Sequence, residues 1–385
     1  MNILISRNAA NDFGGAEMTA VLQAKILKKL GHKPVIYSNN GQVLQGAKNN
    51  NIAAEFSRWF EGGWAETYAK DLKNKMVPLS NELISIIKKY EIDIINPHSR
   101  DDQICFSLLK NKHNKPVVWK DAGDLVHVLK VATLINSEIK EMLLEAMEQA
   151  DYIYTLNKDQ RLEILSYTRK GFDKKKLVVI PSGILFKDYQ RTLYPEKKSN
   201  KLIIGVISRL TIHKGIQYLL IAMRNLIYEF PNLDLELWIV GDGDYASYLK
   251  AMADGLRIRR FTKFFGNQNN VSKYLNRMDI FVSPTEFEGW GRSVAEALYF
   301  GKPVVASNVS GVRDQIVSGL NGLLFSMGDT EELTIKLETM IRNNELRSKL
   351  ARNARDISEK SGDFNRVVEH KILPLYKKAL LGHVG

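Results

Sequence analysis

The chain has 385 residues, a length that suits two domains, with 44% hydrophobic and 25% charged residues. That composition excludes a disordered, collagen-like or disulfide-scaffold protein, and the single cysteine, Cys105, excludes an internal disulfide or a thiolate zinc cluster. The net charge of +12 is spread over both halves without a polybasic tail or a basic run interleaved with aromatics, so no nucleic-acid partner is expected.

The longest apolar stretches, such as 125–135 and 300–305, fall short of the roughly 20 residues that span a bilayer. Residues 1–6 read as a first strand, because no hydrophobic region or small-residue cleavage site follows Arg7. Together with the lone cysteine this points to a cytoplasmic enzyme, and the surplus of basic residues leaves room for peripheral contact with an anionic membrane at its inner face.

In chain order, Ile3, Leu4 and Ile5 form a short buried strand, Gly14 and Gly15 a loop, and residues 17–30 a helix closed by Gly31. A strand at 34–37 completes a parallel crossover unit. β-rich runs recur at 92–95, 116–119, 152–156 and 177–180, so residues 1–192 are predicted to be a doubly wound, Rossmann-like α/β domain. Residues 193–200, with Pro195 and several lysines, read as a linker. From 201 to 363 the alternation starts again, with strands at 202–208, 233–240, 260–265, 280–283 and 303–306 and a helix at 215–228. Residues 364–385 form an amphipathic terminal helix, with Val367, Val368, Ile372, Leu373, Tyr376 and Leu380 on one side, expected to pack back on the first domain. Two such lobes are expected to face a central cleft and hold a ligand at the carboxyl ends of their strands.

The most informative stretch is 287–310, FEGWGRSVAEALYFGKPVVASNVS, in which seven residues separate Glu288 from Glu296. Gly289 and Gly291 allow close backbone approach to a ligand just before a helix, whose free amides and dipole favour an anion such as phosphate. Carboxylates at 288 and 296 accept hydrogen bonds from hydroxyls, which suits a sugar and a ribose; a capped surface helix with two incidental glutamates is the plainer alternative.

This stretch resembles the hallmark of the family-4 retaining glycosyltransferases of GT-B fold. The sequences SRLTIHKG with Arg209 and Lys214, VIPSG at 179–183, GGAE at 14–17, the glycine turn at 240–243 and GVRDQIVSGLNGLLF at 311–325 resemble further motifs of that family, in the same order along essentially the whole chain. The resemblance implies a retaining, hexosyltransferase-like enzyme that moves a sugar from a nucleoside diphosphate sugar to a hydroxyl of a saccharide or lipid-linked acceptor, in cell-envelope polysaccharide or lipopolysaccharide synthesis. It assigns Glu288 to hydroxyls of the transferred sugar, Glu296 to the ribose, Arg209 and Lys214 to the diphosphate, and the Gly14 and Gly15 backbone to an approach from the first lobe. Gly266 and Asn267 would lie at the base, and Trp290, Arg292 and Ser293 belong to the same donor-binding stretch as Gly289 and Gly291. Two alternatives remain at this stage: a nucleoside diphosphate sugar epimerase on the same fold, and a basic nucleic-acid-binding protein.

Other residues invite competing readings. GDGDYA at 241–246 matches both a dinucleotide fingerprint and a metal-binding Asp-x-Asp, but it follows the second strand of its domain, and the seven histidines show no ligand spacing. A tight turn is expected there, with no cofactor and no metal, the cations Arg209 and Lys214 standing in for one. In the first domain, His98, Asp121 and Asp124 follow strands; His98 and Asp121 are candidate catalytic residues, against a satisfied loop histidine and a capping aspartate. Related enzymes often carry His-Asp or His-His where this chain has Lys120 and Asp121. Trp59, Phe60 and Trp64 suit either the core or contact with an acceptor or a membrane interface.

Overall fold

The computed structural model describes residues 1–8, 15–59, 69–121, 123, 125–135, 137–189 and 201–384. The expected linker at 193–200, Gly14, Phe60, Trp64 and Asp124 lie outside them. The chain divides into two compact units, 1–181 with 364–385, and 182–363.

The first unit opens with β1 (Asn2–Ser6), β2 (Lys33–Ser38), β3 (Ala53–Phe56) and β4 (Ile94–Pro97), which form a parallel sheet in the order β3-β2-β1-β4. Three more strands follow, β5 (Val118–Lys120), β6 (Tyr152–Thr155) and β7 (Leu177–Val179), also parallel. A parallel bridge between Ile95 and Val117 joins the two sets. Helices cover both faces, so the central strands are apolar without alternation: Ile3, Leu4, Ile5, Ile94 and Ile95 are all fully buried. β3 was not foreseen, because its sequence AAEF is half-exposed at the sheet edge and carries no β-rich signal.

The terminal helical segment belongs to this unit. Its apolar side is buried at Phe364, Val367, Val368, Ile372, Leu373 and Tyr376. Residues Val368–Ile372 form a π-helical turn just before Pro374, which has no backbone N–H to give to a normal helical bond.

The second unit contains β8 (Leu202–Ile207), β9 (Leu235–Val240), β10 (Thr262–Phe264), β11 (Ile280–Ser283), β12 (Val304–Ser307) and β13 (Gly322–Phe325). They form one parallel sheet in the order β10-β9-β8-β11-β12-β13. The strand order reverses between β8 and β11, and in open α/β sheets that is where a crevice forms at the carboxyl ends. The first unit reverses in the same way between β1 and β4. Among the described residues, no helix is long and apolar enough to cross a membrane.

Candidate active site

Sheet order decides which loops meet. In the second unit the segment after β8 carries Arg209 and Lys214, and the segment after β11 carries Glu288, Gly289, Trp290 and Gly291. Although 74 residues apart in sequence, Lys214 and Glu288 meet at the reversal point, Nζ donating to Oε2 at 2.7 Å. Both side chains are about a fifth exposed. Their loops are stitched together by the Glu286 amide on the His213 carbonyl at 2.8 Å and by the Thr285 hydroxyl, which donates to the carbonyls of His213 and Phe287. Arg209 is exposed beside them.

Each loop ends in a helix that starts without a side-chain cap. Helix Ile216–Glu229 begins at Gly215 with φ +68°, and helix Arg292–Tyr299 at Gly291 with φ +80°. Only glycine adopts this left-handed backbone without strain, and amides at such helix starts suit an anion, although that of Tyr218 already bonds the Gly215 carbonyl at 3.0 Å. Ser293 lies half-buried in that first turn. Trp290 is buried and packs inside the unit.

Glu296 is buried and already held. The Tyr189 hydroxyl donates to its Oε1 at 2.5 Å and Arg292 Nε at 2.9 Å. Gly266 accepts the Gly241 amide at 2.9 Å, so the glycine turn after β9 leans on the loop after β10, where Asn267 is exposed. A pocket of about 310 Å³ begins at the neighbouring Phe265 and includes Trp238, Lys263, Lys273, Tyr274 and Arg277. It contains the mid-strand pair Trp238 and Lys263, and so belongs to the side of the sheet, not to the carboxyl-end loops.

Three residues to which the sequence analysis gave no individual role shape this loop set, two of them within the 311–325 motif. Gln315 donates through Nε2 to the carbonyls of Trp290, Gly291 and Gly311, pinning the glycine turn. Gly311 lies so close that a Cβ there would stand 2.3 Å from the Glu288 carbonyl oxygen. Tyr189 reaches Glu296 across 107 residues of sequence. The 311–325 motif holds Gly311 and Gln315 without showing what they touch, and Tyr189 carries no local signal, because the partners are distant in the chain.

In the first unit, Gly15 opens the helix Gly15–Lys29 after β1, and His98 follows β4. Its imidazole is buried, with Nε2 2.8 Å from Asn96 Oδ1. Asn96 turns its amide nitrogen to the Val118 carbonyl, and its Oδ1 also accepts from Gln23 Nε2 at 2.9 Å and the Tyr376 hydroxyl at 2.7 Å. Oδ1 being the acceptor, His98 must carry its proton on Nε2, which leaves a bare lone pair on Nδ1. Among the described residues that nitrogen has no hydrogen-bond partner. Burial first, then the charges of Lys120 and Arg7, hold the His98 pKa well below the usual histidine value, so the ring is neutral.

Asp121 is almost fully buried, and its Oδ1 accepts the amides of Gly123 and Leu125, both at 3.1 Å, at the start of helix Leu125–Ile135. Arg100 Nη2 stands 3.5 Å away. The carboxylate therefore caps a helix. Trp59 packs against the core of the first unit and its indole N–H bonds Glu82, the core role rather than a stacking surface.

Among the described residues no group of three or more His, Cys, Asp or Glu side chains could hold a metal ion. Asp242 Oδ1 instead accepts the amide of Gly243 at 2.9 Å, in the turn that opens helix Ala246–Gly255.

Residues 194–357 match the family model described as Glycosyl transferases group 1. An uncharacterized glycosyltransferase of Haemophilus influenzae is 34% identical over 364 residues, covering 92% of this chain and 94% of that protein. The lipopolysaccharide core biosynthesis glycosyltransferase LpsE of Rhizobium meliloti is 29% identical over 149 residues, 39% of this chain and 42% of its own length. Among solved structures, Anabaena HepE in complex with UDP matches with a TM-score of 0.80 at 19% identity, over 98% of this chain and 100% of that one. WaaG, a glycosyltransferase involved in lipopolysaccharide biosynthesis, matches with a TM-score of 0.72 at 17% identity, over 96% of this chain and 98% of that one. At such identities the likeness speaks for the fold, which is GT-B.

Proposed function

The chain belongs to the glycosyl transferases group 1 family, and on that premise we propose that it transfers a sugar from a nucleoside diphosphate sugar to a saccharide or lipid-linked saccharide hydroxyl, with retention at the anomeric carbon. The observation that carries the reading is the meeting of Lys214 with Glu288 where the strand order reverses, with Arg209 on the same loop and two uncapped helix starts beside them. Cations and amides so gathered suit a diphosphate, and the carboxylate beside them suits sugar hydroxyls.

Each residue then has a part. Arg209 and Lys214, with the amides that follow Gly215 and Gly291, neutralise the diphosphate as it leaves; loss of one such donor costs on the order of a hundredfold in rate. Glu288 takes hydroxyls of the transferred sugar and keeps Lys214 oriented until the donor arrives. Glu296 takes the ribose hydroxyls. The base lies near Gly266 and Asn267, and the backbone at Gly14 and Gly15 approaches the donor. His98, neutral and with no partner on Nδ1 among the described residues, accepts a hydrogen bond from a sugar hydroxyl, while Asp121 shapes the turn that precedes helix Leu125–Ile135.

In the reaction the bond from the anomeric carbon to the β-phosphate oxygen breaks, the acceptor oxygen bonds the same face of that carbon, and the acceptor proton passes to the departing phosphate. No side chain is assigned a covalent step. The diphosphate is neutralised by Arg209 and Lys214 rather than by a metal, so turnover survives exhaustive EDTA treatment. The relative named for lipopolysaccharide core biosynthesis favours a cell-envelope saccharide as acceptor.

A thermal-shift panel of UDP, GDP and ADP sugars tests the reading, since a ligand bound only by the native state raises the melting temperature. One of them shifts the wild-type protein and fails to shift Lys214→Met. A panel with no shift at all would refute the assignment, and an inverted anomeric centre in the NMR spectrum of the product would refute retention.

A further inference from the structure

Among the described residues, Glu296 is held from one side only. Its two contacts, the Tyr189 hydroxyl at 2.5 Å and Arg292 Nε at 2.9 Å, both fall on Oε1. Arg292 Nη2 also donates to the Tyr189 hydroxyl oxygen at 2.9 Å, closing a ring of three side chains. A guanidinium only donates, so the single hydroxyl proton of Tyr189 must go to Glu296. Oε1 thus receives two donors, one from the carboxylate's own helix and one from the segment that precedes β8.

That second donor is itself fixed by packing. The Tyr189 ring lies edge-on to Phe300 at 6.1 Å and to Tyr299 at 6.2 Å between centroids, and Tyr299 stacks on Phe186 at 4.3 Å. Burial, then the neighbouring Glu296 charge, pushes the Tyr189 pKa up, so the phenol stays a donor at physiological pH. A glutamate has three side-chain torsions, and locking one oxygen sets where the other points.

We propose that Tyr189 is a positioning residue for nucleotide recognition: together with Arg292 it fixes Glu296 through Oε1, so that Oε2 is presented to the ribose hydroxyls. The inference rests on the donor reading of Glu296 and adds to it a residue 107 positions earlier in the chain, outside the glutamate motif.

The test is calorimetric titration of the wild-type protein and Tyr189→Phe, which keeps the ring and its aromatic packing. The titrants are pyrophosphate, the tightest binder among UDP, GDP and ADP, and its 2′-deoxy counterpart. Tyr189→Phe is expected to weaken the ribonucleotide about tenfold, the deoxy form by less than about threefold and pyrophosphate not at all. Arg292→Met, which removes the other donor, should give the same ordering, and a thermal melt on each variant identifies any that fails to fold. Wild-type binding with an unchanged preference for ribose over deoxyribose in Tyr189→Phe overturns this inference alone. Equal weakening of all three ligands also overturns it, since that marks a general disturbance of the loop. Failure of all three diphosphates to bind the wild-type protein refutes the donor reading itself, and the inference falls with it.

Discussion

Gly311 offers the sharpest test of how the donor loop is built. It lies in the short helix Ser310–Arg313 after β12, and a Cβ added there would stand 2.3 Å from the Glu288 carbonyl oxygen and 2.6 Å from the carbonyl carbon and oxygen of Gly289. Ordinary contacts of a Cβ begin near 3.4 Å, so Gly311→Ala must push the loop by about 1 Å. None of the atoms it meets is the end of a flexible side chain. Gln315 ties the carbonyls of Trp290, Gly291 and Gly311 together, so the displacement is passed to the whole turn. Overpacking of this kind costs about 1–3 kcal/mol of stability, and a misplacement of about 1 Å costs on the order of a hundredfold in rate. The expected result is a folded protein, melting a few degrees lower, with kcat/KM reduced about a hundredfold as read by release of the nucleoside diphosphate. Gly255→Ala is the control: nothing lies within 4 Å of its would-be Cβ, and stability should hold or rise slightly. A Gly311→Ala enzyme within about threefold of wild-type kcat/KM would refute the close-approach argument, as would an activity loss that merely follows the unfolded fraction.

Further outcomes are expected at other places. Lys214→Met should weaken nucleoside diphosphate binding at least about tenfold, whereas Glu288→Gln should cut turnover about a hundredfold and leave that binding nearly intact, because it releases Lys214 from its partner; titration calorimetry beside steady-state kinetics separates the two. Burial, opposed by the bond from Asn8 Nδ2 at 2.7 Å, raises the Asp102 pKa from 3.8 to about 7. The native state then holds a proton that the unfolded chain releases, so this group's contribution to stability falls as pH rises through that window. Asp102→Asn should accordingly gain in melting temperature relative to wild type between pH 5 and 7.5, and a pH-independent difference would contradict the sign. The comparison between variants cancels His98, whose lowered pKa acts the other way by removing stability as pH drops below 6.5. Tyr376→Phe leaves Gln23 and Asn96 short of a buried partner and should cost about 1–3 kcal/mol in urea unfolding; an unchanged midpoint would mean that the terminal helix is held by apolar packing alone.

Local pattern in the chain was enough for the fold class and for the two glycine-led helix starts after β8 and β11. Apolar runs such as Ile3 to Ile5 and Val304 with Val305 mark strands buried on both faces, and glycines at 215 and 291 mark helix starts, because both signals are written within a few neighbouring residues. Strand limits were less legible: the run predicted at 92–95 lies at Ile94–Pro97, and the edge strands β3 and β13 escaped notice, since their residues are partly exposed and gain little from burial. Asp121 shows a different limit, for capping and catalysis call on the same carboxylate, and only the amides of Gly123 and Leu125 at 3.1 Å reveal the cap. Tertiary structure alone decided that β8 lies beside β11, and hence that Lys214 finds Glu288. It decided too that Tyr189 and Arg292 both fall on one oxygen of Glu296, and that Gln23, Asn96 and Tyr376 set the proton on His98. Residues distant in sequence meet because the whole sheet buries most apolar surface in one strand order, and that choice belongs to the sum over the chain rather than to any short stretch of it.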